Sequence, residues 1–327
     1  MILGNEDETK LYFPSFTRHD PLIDRSIITI IMTYNTFPKD KDTGICCMCL
    51  GGHFGMFKLN VERSILDKQQ FLSCLNICLH WACIINYENI VEYVIDMMLK
   101  IDGNKGILWD DLLQKTCLTG NSHIASLLIK NGANDWIQGL RNACKRGHKN
   151  MAMFIYQHGD KVHFWTPPHC EEVLYSVCRG NDYTLLDIMT INGAKDWDAG
   201  LGGACRGGHI KMAELMIEKG VTVTGFDHGM IQACKSGHMH MFKFLIAEAT
   251  KNNHQFSIED VNISLCNACE FGHKDLVLLL IKMGANSIKY MDHYTPNDSL
   301  VEMMIQKIEK NGNLTDSDID MFNRSFK

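Results

Sequence analysis

The chain has 327 residues, too many for one ordinary compact core and enough for one long repeat array or two domains. Hydrophobic residues make up 46% and charged residues 21%, which excludes a disordered chain; the formal net charge of −6 argues against a general nucleic-acid binder, which needs a basic surface to displace counterions from phosphate. No run of about 18 consecutive apolar residues occurs, so no membrane-spanning helix is expected.

Residues 1–44 form a non-repeating segment. Pro14, Pro21, Pro38 and the charged stretch Lys39 to Asp42 break it up, and one short helix is expected around Leu22 to Tyr34, capping the first repeat unit. The apolar run Ile27 to Met32 is too short to span a membrane, and its flank lacks the basic region and cleavage site of a signal peptide. A cytoplasmic, non-secreted protein is expected.

From residue 45 to 290 the sequence repeats. Eight cysteines hold one register: 49, 83, 117, 144, 178, 205, 234 and 269, with gaps of 34, 34, 27, 34, 27, 29 and 35. Four residues before the cysteine stand Leu79, Leu113, Leu140, Leu174, Leu201, Met230 and Leu265. Three after it stand Gly52, Gly120, Gly147, Gly208, Gly237 and Gly272, with Asn86 and Asn181 in the other two units, so a turn with positive φ is expected there. Apolar pairs stand ten and eleven after it, such as Leu127–Leu128, Phe154–Ile155, Leu215–Met216 and Leu279–Leu280. Fifteen after it, Gly132, Gly159, Gly193, Gly220 and Gly284 read as helix stops. Each unit is therefore two short helices, and helices this short need stacked neighbours. The 14 cysteines read as small buried thiols in a reducing compartment, since most recur at one position.

These positions resemble the ankyrin repeat. LHWAC at Leu79 to Cys83, the four copies of Ala-Cys-x-x-Gly-His, and the closing pairs Gly132–Ala133, Gly193–Ala194 and Gly284–Ala285 match its pattern. The resemblance implies an all-α ankyrin-repeat solenoid of about eight helix–turn–helix units. The units spaced 27 or 29 residues fall short of the family's period of about 33, so long β-hairpins should be lacking there, while units spaced 34 or 35 have room for a longer loop. The Gly-Ala-x-Asp-Trp links further resemble the ankyrin-repeat proteins of giant DNA viruses of amoebae. Residues 291–327 are expected to cap the array, with one helix from Asn297 or Asp298 to Gly312 and another from Thr315.

Chemistry-bearing motifs fall short of their requirements. Cys-x-x-x-His occurs at Cys49–His53, Cys144–His148, Cys205–His209, Cys234–His238 and Cys269–His273, but each pair belongs to its own unit while zinc needs about four converging ligands. The expected arrangement puts the thiol in the packed face and the imidazole at the turn, bonded to backbone. Cys46, Cys47, Cys49 and His53 are the densest alternative metal set. GLGGACRGGH at Gly200 to His209 has Cys205 where a dinucleotide loop needs glycine, so turn and close packing explain its glycines better. Asp316 to Asp320 begins like a calcium loop, but Met321 and Lys327 occupy its required glycine and twelfth positions. Trp136 and Trp197, each 19 residues after a register cysteine, are expected to cover the tight turn between units. No catalytic residue, cofactor or metal is expected.

In the family, the inner face of the first helices forms a groove. The resemblance places Lys145, Arg146, Arg179, Arg206, Lys235, Ser236, Glu270 and Phe271 there, with Asn142, Gln232 and Asn267 two before the cysteine. The implied function is a non-enzymatic scaffold for a protein partner with an acidic segment, acting as a monomer without nucleic acid or membrane. Alternatives are a ubiquitin-ligase substrate adaptor, with Asp20 to Met32 as a faint F-box match, a metal-dependent enzyme, or an RNA-binding solenoid.

Overall fold

The computed structural model describes residues 49, 51–62, 64, 66–103, 107–159 and 166–285. The expected helices around 22–34, 297–312 and from 315, the aspartates of 316–320, and Cys46 and Cys47 lie outside the described residues.

The described residues are helical, with no strand among them. In chain order the helices are α1 (Phe54–Glu62), α2 (Lys68–Ile85), α3 (Glu88–Asp102), α4 (Trp109–Thr119), α5 (Ser122–Lys130), α6 (Trp136–Lys145), α7 (Lys149–His158), α8 (Pro167–Arg179), α9 (Tyr183–Ile191), α10 (Trp197–Gly207), α11 (Ile210–Glu218), α12 (Val223–Ser236), α13 (Met239–Lys251), α14 (Ile258–Glu270) and α15 (Lys274–Lys282). No described helix is long and apolar enough to cross a membrane. The chain divides into two compact units, the first taking the described residues up to 143 with 150–155, the second 144–149 and those from 156 onward. In the first, α2 packs on α3 and α4 on α5, while α4 lies against α2 and α5 against α3. In the second, α8–α9, α10–α11, α12–α13 and α14–α15 are hairpins; α10 packs extensively on both α8 and α12, and α14 on α12.

The turn inside each hairpin is set by its third residue after the cysteine. At all eight positions φ is positive, from 55° at Asn181 to 81° at Gly120. The register cysteines and the residues four before them form the core: Cys83, Cys117, Cys178, Cys205 and Cys234 are fully buried, as are Leu79, Leu113, Leu140, Leu174, Leu201, Met230 and Leu265. Of each apolar pair in the second helix, only the second residue is buried (Leu128, Ile155, Met216, Leu280). Its partners in the core are the residues three and four earlier, such as Leu185 and Leu186 with Met189, the stripe a helix presents on one face.

The short links are tight turns, as expected. Gly132 and Gly193 have positive φ, and Ala133 and Ala194 donate back five residues to Leu128 and Met189, closing the last turn. Asp135 and Asp196 then cap α6 and α10, their carboxylates accepting from Gln138 and Ala199. In longer units the extra residues go partly into helix: α3 has 15 residues and α13 has 13, against 9 in α9 and α11.

Consecutive first helices lie close together, and glycine makes the approach possible. Five residues before the register cysteine, the units reached by short links carry Gly139, Gly200 and Gly229. A Cβ there would lie 3.3, 3.4 and 3.2 Å from the sulfur of the preceding register cysteine, Cys117, Cys178 and Cys205. Units reached by 34 or 35 residues carry Cys78, Leu112, Val173 and Ser264 instead. The approach is closest at Gly203, where a Cβ would stand 2.0 Å from the Tyr175 carbonyl oxygen of α8.

Gly203→Ala should therefore lower stability by about 1–3 kcal/mol despite the better helix propensity of alanine, because backbone must move. Gly55→Ala, with open space around it, should be neutral or slightly stabilising. Urea denaturation of both variants checks the contrast.

Candidate functional site

The histidine four residues after the cysteine closes the structure around the candidate face. His209, His238 and His273 precede α11, α13 and α15 but do not cap them; in α5 and α9 that position holds Asn121 and Asp182, which do. The His209 ring reaches back to the preceding hairpin, its Nε2 lying 3.0 Å from the Arg179 carbonyl oxygen. The Arg206 carbonyl likewise lies close enough to His238, and that of Lys235 to His273, to favour their protonated rings against the effect of burial. A carbonyl oxygen only accepts, so Nε2 carries the proton in this arrangement. The imidazole is at the turn and bonded to backbone, as expected, but the backbone belongs to the neighbouring hairpin. It satisfies a carbonyl that the end of the first helix leaves without an intrahelical partner.

The residues whose carbonyls are held in this way are the cations one after the cysteine. Arg179, Arg206 and Lys235 are half-buried at the ends of α8, α10 and α12. Among the described residues no carboxylate lies within ion-pair distance of any of the three. They adjoin one another. Burial draws Arg206 below its ordinary range and neighbouring Arg179 acts in the same sense, while the Tyr175 hydroxyl opposes them. Phe271, an exposed aromatic after α14, takes Arg206 at 5.9 Å and Lys235 at 5.6 Å from its ring centroid. Glu270, exposed, holds the same register position as the cations and ends the basic run. Lys145 and Arg146 are half-buried at the end of α6 and just beyond it, and Ser236 is half-buried at the end of α12.

The three residues two before the cysteine are structural ties. Asn142 is buried, and its Nδ2 donates to the Gln114 carbonyl at 3.1 Å, joining α6 to α4. Gln232 accepts from the Tyr175 hydroxyl at 3.1 Å and bonds His228 at 3.0 Å. Asn267 donates to Ile263 in its own helix at 2.9 Å.

Comparison with known proteins gives no lead: no protein-family model matches the chain, and no curated protein is significantly similar to it.

Two arrangements carry no signal in the register motif. Seven residues before the cysteine, Asp110, Asp198 and Asp227 anchor the link after their hairpin. Asp110 accepts from the backbone of Asn134 and Asp135 at 2.7 and 3.1 Å, Asp198 from Thr222 N–H at 2.7 Å, and Asp227 bonds His254 at 2.8 Å. The pairs Trp109–Asp110, Trp197–Asp198 and Phe226–Asp227 were its legible trace. Trp197 itself, half-buried at the start of α10, carries the Lys219 ammonium 4.9 Å from its ring centroid; Trp136 opens α6 in the same way.

The second arrangement is a 340 Å³ pocket between α2 and α4, lined chiefly by Ile77, His80, Trp81, Leu108, Asp111 and Leu112. Lys115 bonds both Asp111 at 2.9 Å and His80 Nε2. Burial, then Lys115, holds His80 below its usual range. The polar edge is self-satisfied and lacks a nucleophile, so the pocket can take an apolar side chain and offers no catalytic constellation.

Neither do the register residues. Burial pushes the thiols of Cys83, Cys117, Cys178, Cys234 and Cys269 up to about 12 and Cys205 higher still, which removes the thiolate needed for attack or metal binding. Among the described residues no three His, Cys, Asp or Glu converge to hold a metal ion, and His53 is exposed. The glycines of Gly200 to His209 serve close packing and the turn.

These environments dictate two outcomes. A thiol reagent should leave the 12 described cysteines unreacted until the protein unfolds; Cys46 and Cys47 set the upper limit on fast-reacting thiols, counted by absorbance with and without denaturant. Burial lowers the pKa values of His209, His238 and His273 below 6.5, with cations adding to it, so the unfolded chain binds protons that the folded chain refuses. Their contribution is complete above 6.5 and is lost as pH falls below it toward the folded values. Urea midpoints should drop between pH 7.5 and 5.5, and His238→Gln should flatten that slope while lowering stability at pH 7.5. His238 faces Arg206, His209 and His273, all cationic when protonated.

Proposed function

We propose that the chain is an ankyrin-type repeat protein acting as a non-enzymatic scaffold, which recognises an acidic segment of another protein through the cations at the ends of its first helices. One observation carries this reading: Arg179, Arg206 and Lys235 stand side by side, partly exposed, with no carboxylate of the described residues close enough to neutralise them. A chain of net charge −6 that gathers cations on one surface has a reason to repel general polyanions and still steer a matching one.

The fold assignment draws on the eight-fold register of cysteine and left-handed turn, the buried leucines and the Gly-Ala links. Recognition by such a surface makes and breaks no bond, and burial keeps the thiols of Cys83, Cys117, Cys178, Cys205, Cys234 and Cys269 protonated, which suits packing and not nucleophilic attack. Following the narrower resemblance, the partner is a host protein of a giant virus and the place of action is host cytoplasm. The adaptor alternative rests on Asp20 to Met32, outside the described residues.

Affinity purification from the relevant cell should capture a partner that is lost when Lys145, Arg146, Arg179, Arg206 and Lys235 are changed to glutamate, while the variant elutes and melts as a folded monomer. Retention of every partner by that variant refutes the assignment of the face.

A further inference from the structure

We infer that Arg179, Arg206 and Lys235 together form a site for one phosphate group carried on the partner protein, so that its acidic segment is recognised through a phosphorylated side chain. The inference rests on the function proposed above and names the chemistry of the group bound.

The three cations gather about one place. The Arg206 guanidinium carbon lies 5.9 Å, and the Lys235 ammonium 5.6 Å, from the centroid of the same Phe271 ring. Arg179 is near enough to Arg206 for each charge to oppose the other. The Tyr175 hydroxyl, which feels both arginines, gives its proton to Gln232 at 3.1 Å. With no carboxylate of the described residues in ion-pair distance, the positive charge of the cluster stands unbalanced.

Arg206 is also short of an acceptor. Its Nη1 is buried and has no hydrogen-bond partner among the described residues. A charged donor taken from water and left unmatched is costly, and folded proteins rarely keep one without a use. The side chain as a whole is only half-buried, so a small turn of the guanidinium presents this nitrogen to a ligand arriving from solvent.

A single carboxylate answers that nitrogen but leaves most of the charge uncompensated. A phosphate monoester carries a charge of about −1.5 to −2 near neutral pH and three strong acceptor oxygens, so one group can take hydrogen bonds from both guanidinium forks and the ammonium. The surroundings narrow the ligand further. Phe271 is 43% exposed, an apolar surface that free phosphate leaves bare and a peptide side chain covers. Glu270, exposed at the next register position, repels a second anion there, such as the adjoining phosphate of a nucleic acid. One phosphorylated residue with an apolar neighbour meets both conditions.

The test uses the full chain and three peptides of one neutral sequence, in which phenylalanine stands on both sides of a central phosphoserine, aspartate or serine. Inorganic phosphate and a uridylate oligonucleotide are the other probes. Titration should show the phosphoserine peptide binding about tenfold tighter than the aspartate peptide, the worth of one further charge-assisted hydrogen bond, with the serine peptide weakest. Arg206→Lys, which keeps the charge and loses the fork, should reduce that preference, and Lys235→Gln should reduce it too; Lys282→Glu, on an exposed site of α15, should leave it. Melting curves confirm that each variant is folded. Equal affinity for the phosphoserine and aspartate peptides overturns the phosphate site but leaves the acidic partner standing. A preference that survives both Arg206→Lys and Lys235→Gln overturns the placing of the site. Inorganic phosphate binding as tightly as the phosphoserine peptide overturns the protein-borne group in favour of free phosphate. Absence of binding by either acidic peptide overturns both readings, and tighter binding of the oligonucleotide overturns them in favour of a nucleic acid.

Discussion

The distance between consecutive first helices constrains most of what this chain does with its side chains. Consecutive first helices lie almost on one another, and only hydrogen is tolerated where Gly203 meets the Tyr175 carbonyl and where Gly180 meets that of Cys144. A sulfur atom then sits between glycine and the core at Cys117, Cys178 and Cys205. Cysteine suits that seat: it is small, polarisable and apolar enough to be buried with its proton on. The same closeness lets the imidazole of one hairpin reach a carbonyl of the one before, and lets one aspartate hold the next link. Packing, turn closure and the placing of the surface row are consequences of one spacing.

Much of this was legible in the sequence, and the part that was not has a common physical character. The cysteine and leucine positions, the left-handed turn and the Gly-Ala stops repeat as single residue types, and each is dictated by its own local backbone or by burial. The missed features are relations between hairpins. That His209 serves Arg179 requires knowing which carbonyl lies across the gap; the motif Cys-x-x-x-His shows only that both residues recur. Asp110, Asp198 and Asp227 do share a position, but their partners are backbone N–H groups alone in the first case, a backbone N–H with the Thr222 hydroxyl in the second and a histidine in the third. Asn142 illustrates the converse. Its place two before the cysteine suggested an outward amide, yet that position faces the preceding helix, and Gln114 claims it. In Gly203 and Ser176 the same position holds residues small enough to be covered.

Basic residues at helix ends have an ordinary explanation, since cations complement the negative end of the helix dipole by a few tenths of a kcal/mol to about 1 kcal/mol each. That term acts on each helix separately and would be met equally by cations scattered around the last turn. It does not place Arg206 where burial and Arg179 both oppose its charge, nor leave three cations side by side with no carboxylate of the described residues in ion-pair distance, in a chain that has more acids than bases. It fails at α14 as well, where the corresponding residue is Glu270, against the dipole. The row therefore obeys a rule that changes along the surface and not along the helix axis. A surface selected for a ligand that crosses the helices would produce that pattern: cations where the ligand is acidic, then an exposed ring and a repelling carboxylate where the acidic part must stop.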